Sequence, residues 1–206
     1  MSTAEVTLLD CWVSPFCMRV KIALEEKGVA YESQAEDLFG GKSELLLTSN
    51  PHGKVPVCST MRNLCPNPLS LWHTLMKPGH HPHFSHLVLT AELRQGKGIC
   101  LGKGEEVEVA KKDFIEVIKT LEKTLGDKDF FGGNTFGFVD IIGIAMTSWF
   151  PAYEKYGSFK LEDDCPTFSA WIKRSSERES VAKVIPEAEK VLGFMAMFRK
   201  MMGVEE

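Results

Sequence analysis

Ser14-Pro15-Phe16-Cys17-Met18-Arg19-Val20 is the stretch whose residue types and placing are suited to chemistry. It follows a short β run and opens a helical pattern. A hydroxyl placed there lies beside backbone N–H groups that have no partner within the helix, at the positive end of its dipole. Such a place suits the stabilisation of an anion. The plainer alternative is that Ser14 caps the helix ahead of Pro15. A second constellation, His80-His81-Pro82-His83 with His86 and Cys100, carries metal-ligand types. Zinc needs convergent ligands at about 2.0–2.3 Å, held by further hydrogen bonds. A Pro-containing stretch without periodicity offers neither, so no metal is expected.

The elements that must position Ser14 read as a βαβ unit. Val6-Thr7-Leu8-Leu9-Asp10 is the first strand, and Phe16 to Lys27 sets Met18, Val20, Ile22, Ala23 and Leu24 on one helical stripe that Gly28 closes. Val29 to Ser33 is the second strand candidate, Ser43 to Thr48 a short helix, and Val55-Pro56-Val57 an extended segment. Strand, helix, strand implies a parallel pair with a right-handed crossover. From about Gly104 the pattern is purely helical: Glu105 to Leu125, an apolar Asp140 to Tyr153, then Pro166 to Arg174 and Pro186 to Met201, the last two each with proline at a tolerated first-turn position.

The chain has 206 residues, 25% charged and 44% hydrophobic, with a net charge of −4. That balance gives no general basis for binding nucleic acid or an anionic membrane. The longest apolar stretch, Ile141 to Ala152, is too short to span a bilayer. The sequence shows no basic-then-apolar secretion signal, so the six cysteines are expected to be reduced and the protein cytoplasmic. One zone breaks the pattern. Residues 58–100 hold five of the 52 charged residues but five of the six histidines, and neither helical nor strand period survives from Cys58 to Leu87. Residues 58–97 are therefore expected to be the least regular part of the fold.

Outside that zone the chain resembles the plant tau-class glutathione transferases. The resemblance rests on Asp10-Cys11-Trp12-Val13-Ser14-Pro15-Phe16, Arg19 to Gly28, Glu36-Asp37-Leu38, Asn50-Pro51 and Lys54-Val55-Pro56-Val57. Phe131-Gly132-Gly133-Asn134-Thr135-Phe136-Gly137-Phe138-Val139-Asp140 and the closing helices continue it, so that it covers roughly residues 4–57 and 100–204. It implies an α/β thioredoxin-like N-terminal domain over 4–83, disrupted at 58–83, and an all-α C-terminal helical bundle over 90–206. It also implies a cis Pro56, a homodimer, and glutathione as co-substrate with no metal or other cofactor.

Carried over by position, Ser14 is the thiol-activating hydroxyl, and Phe16, Lys42, Lys54 and Val55 join it in binding glutathione. Lys42 and Lys54 would hold the glycine carboxylate, although Gly40-Gly41 makes the loop before Lys42 one residue longer than the family has. Val55 would offer its backbone to the cysteinyl part. Asp140 would close a capping box on Gly137, a folding role. The task of Ser14 can be sized. A thiol of pKa near 8.5 must fall by roughly 2 units, about 2.7 kcal/mol, to be mostly thiolate at neutral pH. A hydrogen bond to the charged sulfur supplies about 1.5–3 kcal/mol and a helix start about 0.3–1 kcal/mol. A serine forms no mixed disulfide, which favours conjugation over thiol exchange, and leaves Cys17 as a helix-face residue. Met195, Met197, Met201 and Met202 suit either a hydrophobic electrophile pocket or packing.

The departure lies where the family has a strand pair and then Glu-Ser, which bind the γ-glutamyl end of glutathione. Here the chain reads Cys65-Pro66-Asn67-Pro68. A reading-frame slip over Met61 to Gly79 accounts for it. With the frame moved one base earlier, synonymous codon choice recovers Asn-Glu-Lys-Pro-Leu-Ser-Glu-Ser-Leu-Ile-Val-Met-Ala-Tyr-Ile-Asp-Glu-Ala-Trp, similar to the missing family segment. The same shift turns His86 to Gln95 into a family-like linker. The resemblance thus implies a glutathione transferase acting on hydrophobic electrophiles, with activity impaired in this chain. Two other classes stand beside it: a non-catalytic binder of hydrophobic ligands, and a glutathione-dependent thiol oxidoreductase.

Overall fold

The computed structural model describes residues 6–37, 40–60, 63–65 and 91–204. The chain divides into two compact units, Met1–Gly79 and His80–Glu206.

In the first unit, β1 (Val6–Asp10), α1 (Pro15–Glu26) and β2 (Tyr31–Ala35) form the expected βαβ unit, followed by α2 (Glu44–Ser49), β3 (Val57–Thr60) and β4 (Asn63–Cys65). The sheet order is β2-β1-β3-β4, with β1 and β2 parallel and the other two pairs antiparallel. Leu8, Val20, Leu24 and Cys58 pack with Val6 as one apolar cluster, because alternate β1 residues and one stripe of α1 face each other. Two differences from the sequence reading have local causes. The second strand starts at Tyr31, not Val29, because the Val29 N–H closes the end of α1 on the Leu24 carbonyl at 3.0 Å. The strand pair that the middle zone was expected to lack is present between β3 and β4, so the described part of residues 58–65 is regular. The rest of that zone up to residue 90, including Pro66-Asn67-Pro68 and the histidines from His73 to His86, lies outside the described residues.

The described regular elements of the second unit are helices, apart from an isolated bridge between Phe130 and Gly133. A π-helical turn (Ala91–Gly96) leads into α3 (Lys97–Leu101), and α4 (Glu105–Leu125) follows with Phe114, Ile118, Leu121 and Leu125 buried at helical spacing. Residues 91–97 are thus helical, while most of the zone 58–97, residues 61–62 and 66–90, lies outside the described residues. The apolar run expected as one helix over Asp140 to Tyr153 is divided into α5 (Phe138–Met146), a 3-10 turn (Thr147–Trp149) and α6 (Phe150–Gly157). Pro151 explains the break, since its ring excludes the carbonyl four residues earlier from a continuous α-helix. Thr147 and Ser148 hydroxyls bond the Ile144 and Ala145 carbonyls at 2.8 and 2.9 Å across the join. Then come α7 (Leu161–Asp164), α8 (Pro166–Ser176), α9 (Glu179–Ala182) and α10 (Ala188–Met201). Pro166 opens its helix as expected, whereas Pro186 stands outside α10, before the cap residue Glu187.

Trp171 is the centre of this unit. It is fully buried, its ring meets those of Phe131 and Phe168, and its indole N–H donates to Asp140 Oδ1 at 2.9 Å. The other two bonds to that carboxylate come from the Phe131 N–H at 2.9 Å and the Gly137 N–H at 3.0 Å. Glycine has no side chain to return a bond, so the expected capping box is made by its acidic half alone. Burial pushes the Asp140 carboxyl up from its ordinary value, and the three donors pull the other way. Among the described residues, no helix is long and apolar enough to cross a membrane.

Candidate functional site

The sheet brings three segments to one end. Leu9 pairs with Val57 across the antiparallel β1–β3 ladder, so the loop leaving β1 lies where Val55-Pro56 enters β3. On the other side Asp10 pairs with Ala35 in parallel register, and the Glu36 N–H donates to the Asp10 carbonyl at 2.8 Å. Residues 11–14, 36–37 and 53–56 therefore meet at one end of the sheet, and residues 40–43 follow the second of these segments. This is the end at which an α/β sheet offers a crevice.

Ser14 takes the N-cap position of α1 with extended backbone angles, φ −83° and ψ 116°, and Pro15 follows at the first helical position, where a missing N–H costs nothing. The Ser14 carbonyl accepts from Cys17 and Met18, each at 3.0 Å, but its hydroxyl makes no capping bond. The capping alternative is thus true of the backbone and not of the side chain. Cys17 is fully buried on the inner face of α1. Burial pushes its thiol up to about 12, against the Cys11 N–H that donates to Sγ at 3.5 Å and the Ser14 hydroxyl beside it. A thiol held there is protonated and unreactive at neutral pH. Phe16 is half-buried, with the Arg19 guanidinium 4.9 Å from its ring centroid. Asp10, buried on β1, pairs through Oδ2 with Lys21 at 2.9 Å, while its Oδ1 has no hydrogen-bond partner among the described residues.

The second and third segments hold the lysines. Asn50 builds the turn before β3: its carbonyl accepts from Gly53 at 2.7 Å, its Oδ1 from His52 at 3.1 Å, and its Nδ2 donates to the Lys54 carbonyl at 2.9 Å. Gly53 is buried with φ +58°, a left-handed conformation that glycine adopts without strain. Val55 is half-buried against Leu9, Leu46 and Val57, and the Val55–Pro56 peptide is cis, as expected. Lys42 and Lys54 are both exposed, and the side chain of Lys42 lies over Gly53. Ser14 and Phe16 thus stand at the start of α1, and Lys42, Lys54 and Val55 around the turn into β3. Of the four C-terminal methionines only Met195 is core; Met197, Met201 and Met202 are exposed.

Glu36, Ser43 and Asn50 were not singled out as functional from the sequence. A Ser at the start of the short helix and an Asn-Pro pair were visible, but nothing in their spacing tied them to Glu36. Among the described residues no group of three or more His, Cys, Asp or Glu is placed to hold a metal ion. The five described cysteines with placed side chains, Cys11, Cys17, Cys58, Cys100 and Cys165, are free and buried.

A thioredoxin-like sheet unit followed by a helical unit, with serine at the N-cap of the first helix and a cis proline entering β3, defines a class of glutathione-binding fold. The comparisons agree. The glutathione S-transferase N-terminal domain model matches residues 8–62, and the C-terminal domain model residues 71–179. Glutathione S-transferase U21 of Arabidopsis thaliana is 43% identical over 98% of this chain and 99% of its own length. A probable glutathione S-transferase of Nicotiana tabacum is 44% identical over the full length of both. Among solved structures, a rice glutathione S-transferase in complex with glutathione superposes with a TM-score of 0.88 at 34% identity, covering 98% of this chain and 99% of that one. A tau-class enzyme from mango, Mangifera indica, gives 0.83 at 30%, covering 95% and 98%. The chain belongs to the glutathione S-transferase family, in its plant tau class.

Proposed function

We propose that this protein joins the thiol of glutathione to hydrophobic electrophiles, with Ser14 as the catalytic hydroxyl. The observation that carries the reading is a cap-position serine whose hydroxyl makes no capping bond, at the sheet end where Val55 and a cis Pro56 enter β3. The Ser14 O–H donates to the glutathione sulfur and favours its thiolate. The sulfur attacks the carbon bearing a leaving group such as chloride, the C–S bond forms, chloride departs with the bonding pair, and the thiol proton goes to solvent. Lys42 and Lys54 hold the glycine carboxylate, the Val55 backbone pairs with the cysteinyl portion, and Phe16 shapes the floor beside Ser14.

The same reading extends to a domain boundary between residues 83 and 90, a cytoplasmic homodimer, and a role in detoxification and stress response. It also holds the activity of this chain to be impaired. The γ-glutamyl end has lost its Glu-Ser partners in sequence, and two missing hydrogen bonds to charged groups weaken glutathione binding by about 10²- to 10⁴-fold. The test is conjugation of an aryl halide by the chain as written and by one with Met61 to Gly79 restored to the shifted frame. The restored protein should conjugate, and Ser14→Ala in it should lower kcat roughly 10- to 100-fold with a smaller effect on glutathione affinity. Undiminished turnover in Ser14→Ala would overturn the assignment of the hydroxyl. Full activity in the chain as written, at ordinary glutathione concentration, would refute the impairment.

A further inference from the structure

Lys42 reaches across the turn before β3 because that turn has no side chain at its middle. A Cβ built on Gly53 would stand 2.9 Å from Lys42 Nζ and 3.0 Å from Lys42 Cδ, closer than real Cβ atoms tolerate or nearly so. The Lys42 ammonium therefore lies close to the backbone of the residue that precedes Lys54. The other end of the lysine is fixed by a buried acid. Glu36, 7% exposed, accepts from the Ser43 hydroxyl at 2.6 Å and from the Ser43 N–H at 3.2 Å. Ser43 Oγ in turn accepts from Leu46 N–H at 3.0 Å, so the residue after Lys42 is fixed to both β2 and α2. A buried carboxylate bound to one serine through both of its oxygens has little freedom, and it fixes Ser43, the residue next to Lys42.

We infer that Glu36, Ser43 and Gly53 are positioning residues that deliver the Lys42 ammonium to Lys54, and that they set recognition of a ligand's terminal carboxylate without touching the ligand. The inference rests on the proposed function in taking that ligand to be glutathione through its glycine end. Glu36 and Ser43 place the root of the side chain, and the missing Cβ at Gly53 leaves a lane for its tip. A side chain at position 53 blocks that lane and strains the turn as well, since φ there is +58°. Loosening at Glu36 leaves the turn intact and lets the lysine wander. The two changes damage the same subsite from opposite ends.

The experiment is binding of glutathione and of its glycyl monoethyl ester, by titration calorimetry, to the full chain with the middle zone restored and to its Gly53→Ala and Glu36→Gln variants. The ester keeps the thiol and the γ-glutamyl end and removes the charge that Lys42 would meet. Each variant should weaken glutathione about 10- to 100-fold, the worth of a charge-assisted hydrogen bond, and the ester less than about threefold. Equal losses on the two ligands, or none, would overturn the inference, because a merely structural defect does not distinguish them. Lys42→Gln should erase the preference for glutathione over the ester, and adding Gly53→Ala to it should change the preference no further. A parent that binds neither ligand would refute the proposed function instead. The geometry is then read by mass-spectrometric mapping of acetylation. Lys42 should be acylated faster relative to Lys54 in Gly53→Ala than in the parent, and an unchanged ratio would overturn the inference by itself.

Discussion

Each unit is organised around one buried aspartate, and the two are handled differently. Asp140 in the helical unit is fully buried and accepts three hydrogen bonds, from Phe131, Gly137 and Trp171. Asp10 in the sheet unit is 6% exposed, pairs through one oxygen with the partly exposed Lys21, and leaves the other oxygen without a partner among the described residues. A closed polar network specifies one packing and tolerates little change. An open one on β1 carries spare acceptor capacity at the place where the sheet gathers its three segments. Asp140 thus ties three points of the helical unit together, while Asp10 keeps one acceptor oxygen without a partner among the described residues, on the strand that leads to Ser14.

The largest expected effect tests the chemical side of this contrast. Cys17, beside Asp10, has its thiol pushed from 9.0 to about 12, chiefly by burial. A rise of three units cuts the thiolate fraction at neutral pH roughly 10³-fold. In native protein, alkylation of Cys17 by iodoacetamide should be slower than that of a free cysteine by at least this factor, read by peptide mass spectrometry. Labelling at an ordinary rate would make Cys17 a reactive member of the site and reopen the thiol oxidoreductase reading.

Asp140→Ala comes next. It leaves the buried Trp171 indole N–H and two backbone N–H groups without their acceptor, and should cost about 3–5 kcal/mol in urea unfolding. Asp10→Asn removes the charge from one part-buried ion pair but keeps an oxygen for Lys21, and should cost less, about 1–2 kcal/mol. Equal costs would break the distinction between a closed and an open network.

Gly143→Ala tests the packing half of the same argument. A Cβ at Gly143 would stand 2.9 Å from the Trp171 ring, whose other faces are already occupied by Phe131 and Phe168. Overpacking of this kind costs about 1–3 kcal/mol, and the loss should appear as a lower urea midpoint at an unchanged slope.

How much of this was legible in the sequence follows the same division. The stripe of α1 and the long α4 were readable because periodicity acts locally, whereas the cis proline was implied by the family resemblance. Asp140 was readable as a helix-start acid at the right spacing from Gly137. Its bond to Trp171, 31 residues on, was not, because no local rule pairs them. The β3–β4 pair was missed for a related reason. Its strands are short, and the residues around them carry a composition unlike either neighbour, so pattern alone gave no register. Ser14 was legible as a hydroxyl at a helix start, whereas Glu36 and Gly53 required the sheet to bring their loops together.

The smallest effect is the pH dependence of the closed network. The Asp140 carboxyl is raised above its ordinary value of 3.8 by burial. The folded state therefore binds more protons than the unfolded state in the window just above that value. Stability rises with pH only where the unfolded state binds more protons, so here the contribution of this group falls as pH climbs through the window. It is fully present below 3.8 and is lost above the raised folded value. Asp140→Asn removes the titration and keeps one acceptor. The difference in Tm between the parent and Asp140→Asn should therefore shrink as pH climbs from 3.8. A difference that grows over that range would mean that the three donors outweigh burial, and the network around Trp171 would then hold a firmly charged carboxylate.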